Sequence, residues 1–169
     1  DENVDLFEEN LTKLPLKFRN VSGDFYCGKN RLTSLEGSPK SVGGVFYCYN
    51  NQLTSLEGSP ESVGGNFNCA NNGLTSLEGC PKSVGGYFEC QHNSIISFEH
   101  LPISIGENLL CNLNPIDSIW ELFEDYSKIE LFNYYDIIQD GVIILDRLNT
   151  FLEEIGKNPV RRIKGYKCI

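Results

Sequence analysis

The sequence predicts a repeat solenoid of the α+β kind, with parallel β-strands along a concave face, an irregular convex side and an α-helical C-terminal cap. Three observations predict it. A motif of one spelling returns every 21 residues, its residues fall into columns of constant character, and the composition changes abruptly at Pro115. A chain of 169 residues accommodates one such array and a small cap, not several independent cores. These observations set the boundaries: an N-terminal cap over 1–10, a solenoid of about five repeats over 11–114, and a capping region with a basic tail over 115–169.

Residues 1–10 are acidic, with Val4, Leu6 and Phe7 apolar. A short helix or strand covering the first coil is expected here. The segment does not look like a secretory signal. Methionine is absent, so the initiator is expected to have been removed or to precede residue 1.

The repeat dominates the middle of the chain. Asn30-Arg-Leu-Thr-Ser-Leu-Glu-Gly-Ser-Pro-Lys-Ser-Val-Gly-Gly returns from Asn51 and again, nearly unchanged, from Asn72. Weaker copies flank these three. One column runs Leu11, Leu32, Leu53, Leu74, Ile95, Ile116; a second runs Leu14, Leu35, Leu56, Leu77, Phe98, Ile119. Valine or isoleucine holds 21, 42, 63, 84 and 105, and phenylalanine or leucine holds 25, 46, 67, 88 and 109. Cys27, Cys48, Cys69, Cys90 and Cys111 form an unbroken column, as do Asn30, Asn51, Asn72, Asn93 and Asn114.

One coil can be reasoned through. Phe46 and Cys48 are two residues apart and point to one face of a strand, while Val45, Tyr47 and Tyr49 point to the other. Asn51 lies where the chain leaves the strand, and a buried amide there must be satisfied, most simply by a ladder against loop backbone. Leu53 and Leu56 close the core from the convex side. Glu57-Gly58 and Ser59-Pro60 supply turn chemistry, and Gly64-Gly65 is expected to let the chain bend before the next strand. No coil buries its apolar face alone, so stacking must supply the stability.

From Pro115 the pattern becomes helical. Ser118-Ile-Trp-Glu121 and Ser127-Lys-Ile-Glu130 fit capping boxes. Ile119, Trp120 and Phe123 share one helical face, Ile129 and Phe132 suggest another, and Asp140-Gly141 reads as a turn. Leu145, Leu148, Phe151, Leu152 and Ile155 follow the 3.6-residue period, with Gly156 and Pro159 ending that helix. The tail from Val160 is expected to be extended. The segment's simplest role is to lid the last coil.

Read from the phenylalanine column, the unit Phe-x-Cys-x-x-Asn-x-Leu-x-x-Leu resembles the leucine-rich-repeat core, with Phe and Cys in its two strand positions. The Leu-Thr-Ser-Leu-Glu-Gly-x-Pro-x-Ser-Val-Gly-Gly units are similar to those of short leucine-rich-repeat proteins of bacteriophage genomes. The segments Leu145-Asp-Arg-Leu-Asn-Thr-Phe-Leu-Glu-Glu-Ile-Gly156 and Lys164-Gly-Tyr-Lys-Cys-Ile169 resemble the C-terminal segment of those proteins. The resemblance spans roughly residues 10–169. It implies a leucine-rich-repeat solenoid and a phage protein in the cytoplasm of the host cell; it does not imply a particular activity.

Charge and cysteine usage narrow the function. The net charge is −9, from 14 basic and 23 acidic residues. Nucleic-acid binding by the chain as a whole is therefore disfavoured. Lys157, Arg161, Arg162, Lys164 and Lys167 stand in a tail with no acid, which leaves a net −14 on residues 1–156. Arg161, Arg162, Lys164 and Lys167 are a candidate basic contact, although cations guarding a strand edge account for them more simply. Side chains stacked along a solenoid run parallel, so the cysteine column suits neither disulfides nor a tetrahedral metal. An odd count of seven cysteines points to a reducing compartment. The Glu36, Glu57, Glu78, Glu99 column reads as a hydrated turn edge, partly offset by Lys40 and Lys82. No metal, cofactor or membrane span is expected.

Variation between coils falls on outward strand positions. Tyr26, Tyr47, Tyr49 and Tyr87 stand there among Asn66, Asn68, Glu89, Gln91 and Asn108. Tyrosine offers contact area at low entropic cost and asparagine offers adaptable hydrogen bonds, the mixture of a protein-recognition face. His92 and His100 lack a partnered nucleophile, and no G-x-S-x-G, P-loop or H-E-x-x-H occurs. The expectation is a non-catalytic interaction module that binds and inhibits a host defence or regulatory protein. The alternatives are an acidic mimic of nucleic acid, or a nucleotide-binding pocket where Lys29, Arg31 or the basic tail meets the strip. A virion structural role is a further one.

Overall fold

The computed structural model describes residues 2–169; the first residue of the expected 1–10 cap lies outside the described residues. Two-residue strands alternate along the chain. After β1 (Val4–Asp5) come β2 (Asn20–Val21), β3 (Phe25–Tyr26), β4 (Ser41–Val42), β5 (Phe46–Tyr47), β6 (Ser62–Val63), β7 (Phe67–Asn68), β8 (Ser83–Val84), β9 (Phe88–Glu89), β10 (Ser104–Ile105) and β11 (Leu109–Leu110). They sort into two parallel sheets. The first runs β1-β3-β5-β7-β9-β11 and the second β2-β4-β6-β8-β10. Partners such as Phe25↔Phe46 and Val42↔Val63 are offset by one repeat. The 21-residue period is thus the stacking period, and the fold is a repeat solenoid.

The second sheet corrects the expectation of a wholly irregular convex side. The Ser-Val positions pair coil to coil, and the neighbouring Gly43 and Gly64 amides donate to Val21 and Val42 carbonyls at 2.8 and 2.9 Å. The Gly-Gly pairs bend the chain between the two sheets, as expected, and they have a second role. A Cβ on Gly64 would lie 2.2 Å from the carbonyl oxygen of Gly43, and one on Gly85 would lie 2.1 Å from that of Gly64. The column is glycine because successive coils approach too closely there for any side chain. Positive φ belongs instead to the Glu-Gly corner, at Gly37, Gly58 and Gly79.

Side chains explain the remaining repeated letters. Phe25, Phe46, Phe67 and Phe88 are fully buried and stack with centroids 5.3–5.6 Å apart. The five column cysteines and the leucine columns fill the space around them. Each ladder asparagine links coils: Asn51 donates from Nδ2 to the carbonyls of Cys27 and Cys48, both at 3.0 Å, and accepts from the amide of Leu32 at 2.9 Å. Ser34, Ser55, Ser76 and Ser97 accept from the amide two residues on and brace the turn.

The N-terminal segment is a partial coil. β1 adds a sixth strand to the first sheet, in register with β3, and Val4 and Leu6 occupy the phenylalanine and cysteine columns at the same 21-residue offset. At the other end the cap is mixed rather than purely helical. It contains α1 (Asp117–Trp120), a 3₁₀ turn at Tyr126–Lys128, α2 (Ile129–Tyr134) and α3 (Leu145–Glu154). It also contains the strands β12 (Ile138–Gln139), β13 (Val142–Ile143) and β14 (Lys167–Cys168). β12 and β13 form a hairpin over Asp140-Gly141, whose two residues have φ of 47° and 74°. The extended tail pairs as β14 in parallel with β13.

Neither expected capping box forms. α1 has no side-chain cap, and Ser118 Oγ instead donates to the carbonyls of Pro115 and Lys164. The 3₁₀ turn is capped by Asp125, which accepts from the amide of Ser127. Helix α3 follows its sequence pattern, burying Leu148, Phe151 and Leu152. Phe98, the last solenoid member of its column, meets Trp120, Phe123 and Phe132 edge-on, with centroids 5.3–5.8 Å apart. This aromatic cluster joins cap to solenoid. Tyr166 adds a second tie, donating to the carbonyl of Ile96 at 2.7 Å.

Candidate functional site

The outward strip of the first sheet has six rungs, one more than the repeats alone suggest, because β1 contributes Asn3, Asp5 and Phe7. Cys48 is fully buried beneath it, while Tyr26, Tyr47 and Tyr49 are partly exposed. The strip divides into two halves of different chemistry.

The N-terminal half is aromatic. Tyr26 meets Tyr47 edge-on at 5.7 Å, Tyr47 meets Tyr49 at 6.0 Å, and Tyr49 approaches Phe7 at 6.1 Å. Gly28 makes the arrangement: a Cβ there would lie 3.1 Å from the Tyr49 ring, so the ring leans over the glycine toward Phe7. Lys29 stands 4.9 Å above the Phe7 ring and pairs with Glu8 at 2.9 Å. The Tyr26 hydroxyl donates to Asp24 at 2.9 Å, and that bond is the main cause of its raised pKa. Phe7 has no counterpart in the expected site; its place 21 residues before Gly28 is the signal in the sequence that points to it.

The C-terminal half is polar and hollow. A cavity of about 370 Å³ opens between Tyr49, Asn68, Ala70, Glu89, Gln91 and Asn112. Ala70 forms its buried floor, where the coil before it carries Tyr49 and the coil after it Gln91. Asn68 donates from Nδ2 to Glu89 Oε2 at 2.9 Å and accepts from the Ala70 amide at 3.0 Å. Desolvation raises the pKa of Glu89. The Oε1 of Gln91 is buried and has no hydrogen-bond partner. His92 stands on the wall in left-handed conformation, φ 52°. Ala70 and Asn112 are outward strip positions by the repeat register and His92 lies beside the strip; all three line the cavity.

Other expected site residues are occupied elsewhere. Asn66 accepts from the amide of Tyr87 at 3.0 Å, as Asp24 does from Val45 at 2.9 Å; both side chains link coils. Tyr87 hydrogen-bonds Glu107, which raises its pKa. Asn108 is exposed on the last rung. Arg161, Arg162, Lys164 and Lys167 are exposed on the cap, and none lines the cavity on the strip. The cavity also lacks Lys29 and Arg31, contrary to the notion of a basic nucleotide pocket: Lys29 is engaged by Glu8, and Arg31 reaches the carbonyl of Asn10 at 3.4 Å.

The thiols are held neutral. Burial raises Cys27 and Cys111 to about 12 and Cys48, Cys69 and Cys90 well above the ordinary range. Partly buried Cys80 is also raised to about 12. Each cysteine is free. The glutamate column is exposed, and Glu36 pairs with Lys17 at 3.3 Å rather than with Lys40. Among the described residues no cluster of three or more His, Cys, Asp and Glu could hold a metal, and no helix is long and apolar enough to cross a membrane. The chain matches no family model, no curated protein and no solved structure.

Proposed function

We propose that this protein is a non-catalytic recognition module of the leucine-rich-repeat kind, which engages a folded protein through the outward strip of its first sheet. The observation that carries the reading is the cluster of Phe7, Tyr26, Tyr47 and Tyr49, four aromatic rings in a contiguous chain of contacts on one face. Clustered aromatics at the centre of a contact supply most of its binding energy, and a rigid sheet holds them at little entropic cost. The phage-like repeat spelling supports a protein that works in the host cytoplasm, inhibiting a defence or regulatory factor.

The test is capture from a bacterial lysate with the full chain and with the double variant Y47A/Y49A. A partner retained by the parent and lost by the folded variant supports the reading; equal retention overturns it. Salt separates it from the second reading, in which the −14 body imitates nucleic acid. Aromatic recognition predicts a complex that changes little between about 50 and 200 mM salt, whereas charge mimicry predicts a loss of orders of magnitude, roughly 10³-fold for about six contacts.

A further inference from the structure

The cavity in the polar half of the strip holds one carboxylate among side-chain amides and His92. Glu89 presents a half-buried carboxylate with no lysine or arginine among the residues lining the cavity. Only one of its oxygens is engaged, by a neutral amide at 2.9 Å. Tyr49 supplies an aromatic wall, and Ala70 leaves the floor open where the adjacent coils carry longer side chains.

We propose that this cavity is the specificity pocket for an arginine side chain of the partner protein, the guanidinium pairing with the Glu89 carboxylate while it stacks against Tyr49. The inference rests on the recognition reading above and names what that face selects. A planar guanidinium carries five donors and stacks on aromatic rings, which matches a carboxylate beside a tyrosine. An ammonium is a compact, strongly hydrated point charge and matches this shape less well. Complementarity of charge also fits, since the body carrying the cavity is strongly acidic.

The pocket can be tested without the partner. The full ¹⁵N-labelled chain is titrated with N-acetyl-arginine methylamide, and in parallel with the matching lysine and citrulline compounds. The arginine compound should shift the amides of Ala70, Gln91, His92 and Asn112 with saturation on the order of 1 mM. The citrulline compound should bind at least tenfold more weakly, and the lysine compound more weakly than arginine. Glu89→Gln should reduce arginine binding at least tenfold, and Ala70→Leu, which fills the floor, should abolish it in a chain that still gives a folded spectrum. Equal binding of citrulline or lysine, undiminished binding by both variants, or shifts scattered over the acidic surface would overturn the proposal. Arginine binding by a chain that captures nothing sinks the recognition module alone; capture without arginine binding sinks the pocket alone.

Discussion

The side-chain amide of Asn51 donates to the carbonyl of Cys27, 24 residues earlier and one coil away, at 3.0 Å. The same side chain accepts from the amide of Leu32 at 2.9 Å. One asparagine therefore satisfies backbone groups of two successive coils at the corner where the chain leaves the first sheet. Alanine at this position strands the Leu32 amide and leaves the Cys27 and Cys48 carbonyls one side-chain donor each, from Asn30 and Asn72. Asn51→Ala should destabilise the fold by roughly 1–3 kcal/mol, the cost of one unsatisfied buried amide. Aspartate has no donors for the two carbonyls and should be no better. Urea unfolding of the two variants measures both.

Glycines of the repeat differ in what they protect. Gly64 faces the carbonyl of Gly43, 2.2 Å from where a Cβ would sit, whereas a Cβ on Gly73 meets nothing nearer than 3.4 Å. Gly64→Ala forces two coils apart and should cost more than about 2 kcal/mol, a loss of the overpacking kind. Gly73→Ala should be neutral or stabilise by up to about 1 kcal/mol through the unfolded chain. Paired thermal melts decide it: equal melting temperatures would contradict the close-approach explanation.

The thiols should titrate in two classes. Cys27, Cys48, Cys69, Cys90 and Cys111 are buried, and Cys80 and Cys168 are partly exposed. Reaction needs the thiolate and access, and the column residues lack both. Iodoacetamide at about pH 8, near the ordinary thiol pKa, should leave the five column cysteines unmodified in native chain, with Cys168 reacting faster than Cys80, which burial raises to about 12. All seven should react in denaturant. Peptide mass mapping reads each site.

Glu89 should work against stability. Its folded-state pKa lies above the ordinary carboxylate value because burial disfavours the charge. The folded state then binds the proton more tightly than the unfolded state, so Glu89's contribution to stability falls as pH rises from the ordinary carboxylate value through the raised one. Below that window no penalty exists. Glu89→Gln should therefore be slightly more stable than the parent at about pH 7, by less than about 1 kcal/mol after allowance for solvent, and equal to it near about pH 3. A variant less stable than the parent at neutral pH would contradict this. A position that weakens the fold while serving the cavity fits the trade between stability and function.

Much of this molecule is legible in its letters because the repeat compares itself. The columns of Phe46, Cys48, Asn51, Leu53 and Leu56 announce burial by their constancy, and the stacked phenylalanines meet that expectation. Where a constant letter has two physical causes, the sequence does not choose between them. Gly64 reads as a bend and is one, yet it is also a contact between coils; Ser62-Val63 reads as part of an irregular return, yet its backbone pairs. The segment of β1 reads only as a short helix or strand over the first coil, because Val4 and Leu6 are chemically unlike Phe25 and Cys27, although they hold the same register. The site obeys the same logic. Tyr47 and Tyr49 declare themselves by type, whereas the cavity depends on Ala70, whose importance is the side chain it lacks. Asn66 has the look of a contact residue and is a backbone link, which only its hydrogen bond to Tyr87 reveals.

The recognition face can be tested most directly by placing a photo-crosslinking phenylalanine at position 47, on the aromatic half of the first sheet, and separately at position 62, on the second sheet. Both chains are expressed in bacteria and irradiated. The account predicts a discrete protein adduct from position 47 and none from position 62. Adducts from 62 alone, or the same adduct from both, would show that the strip is not the face that binds.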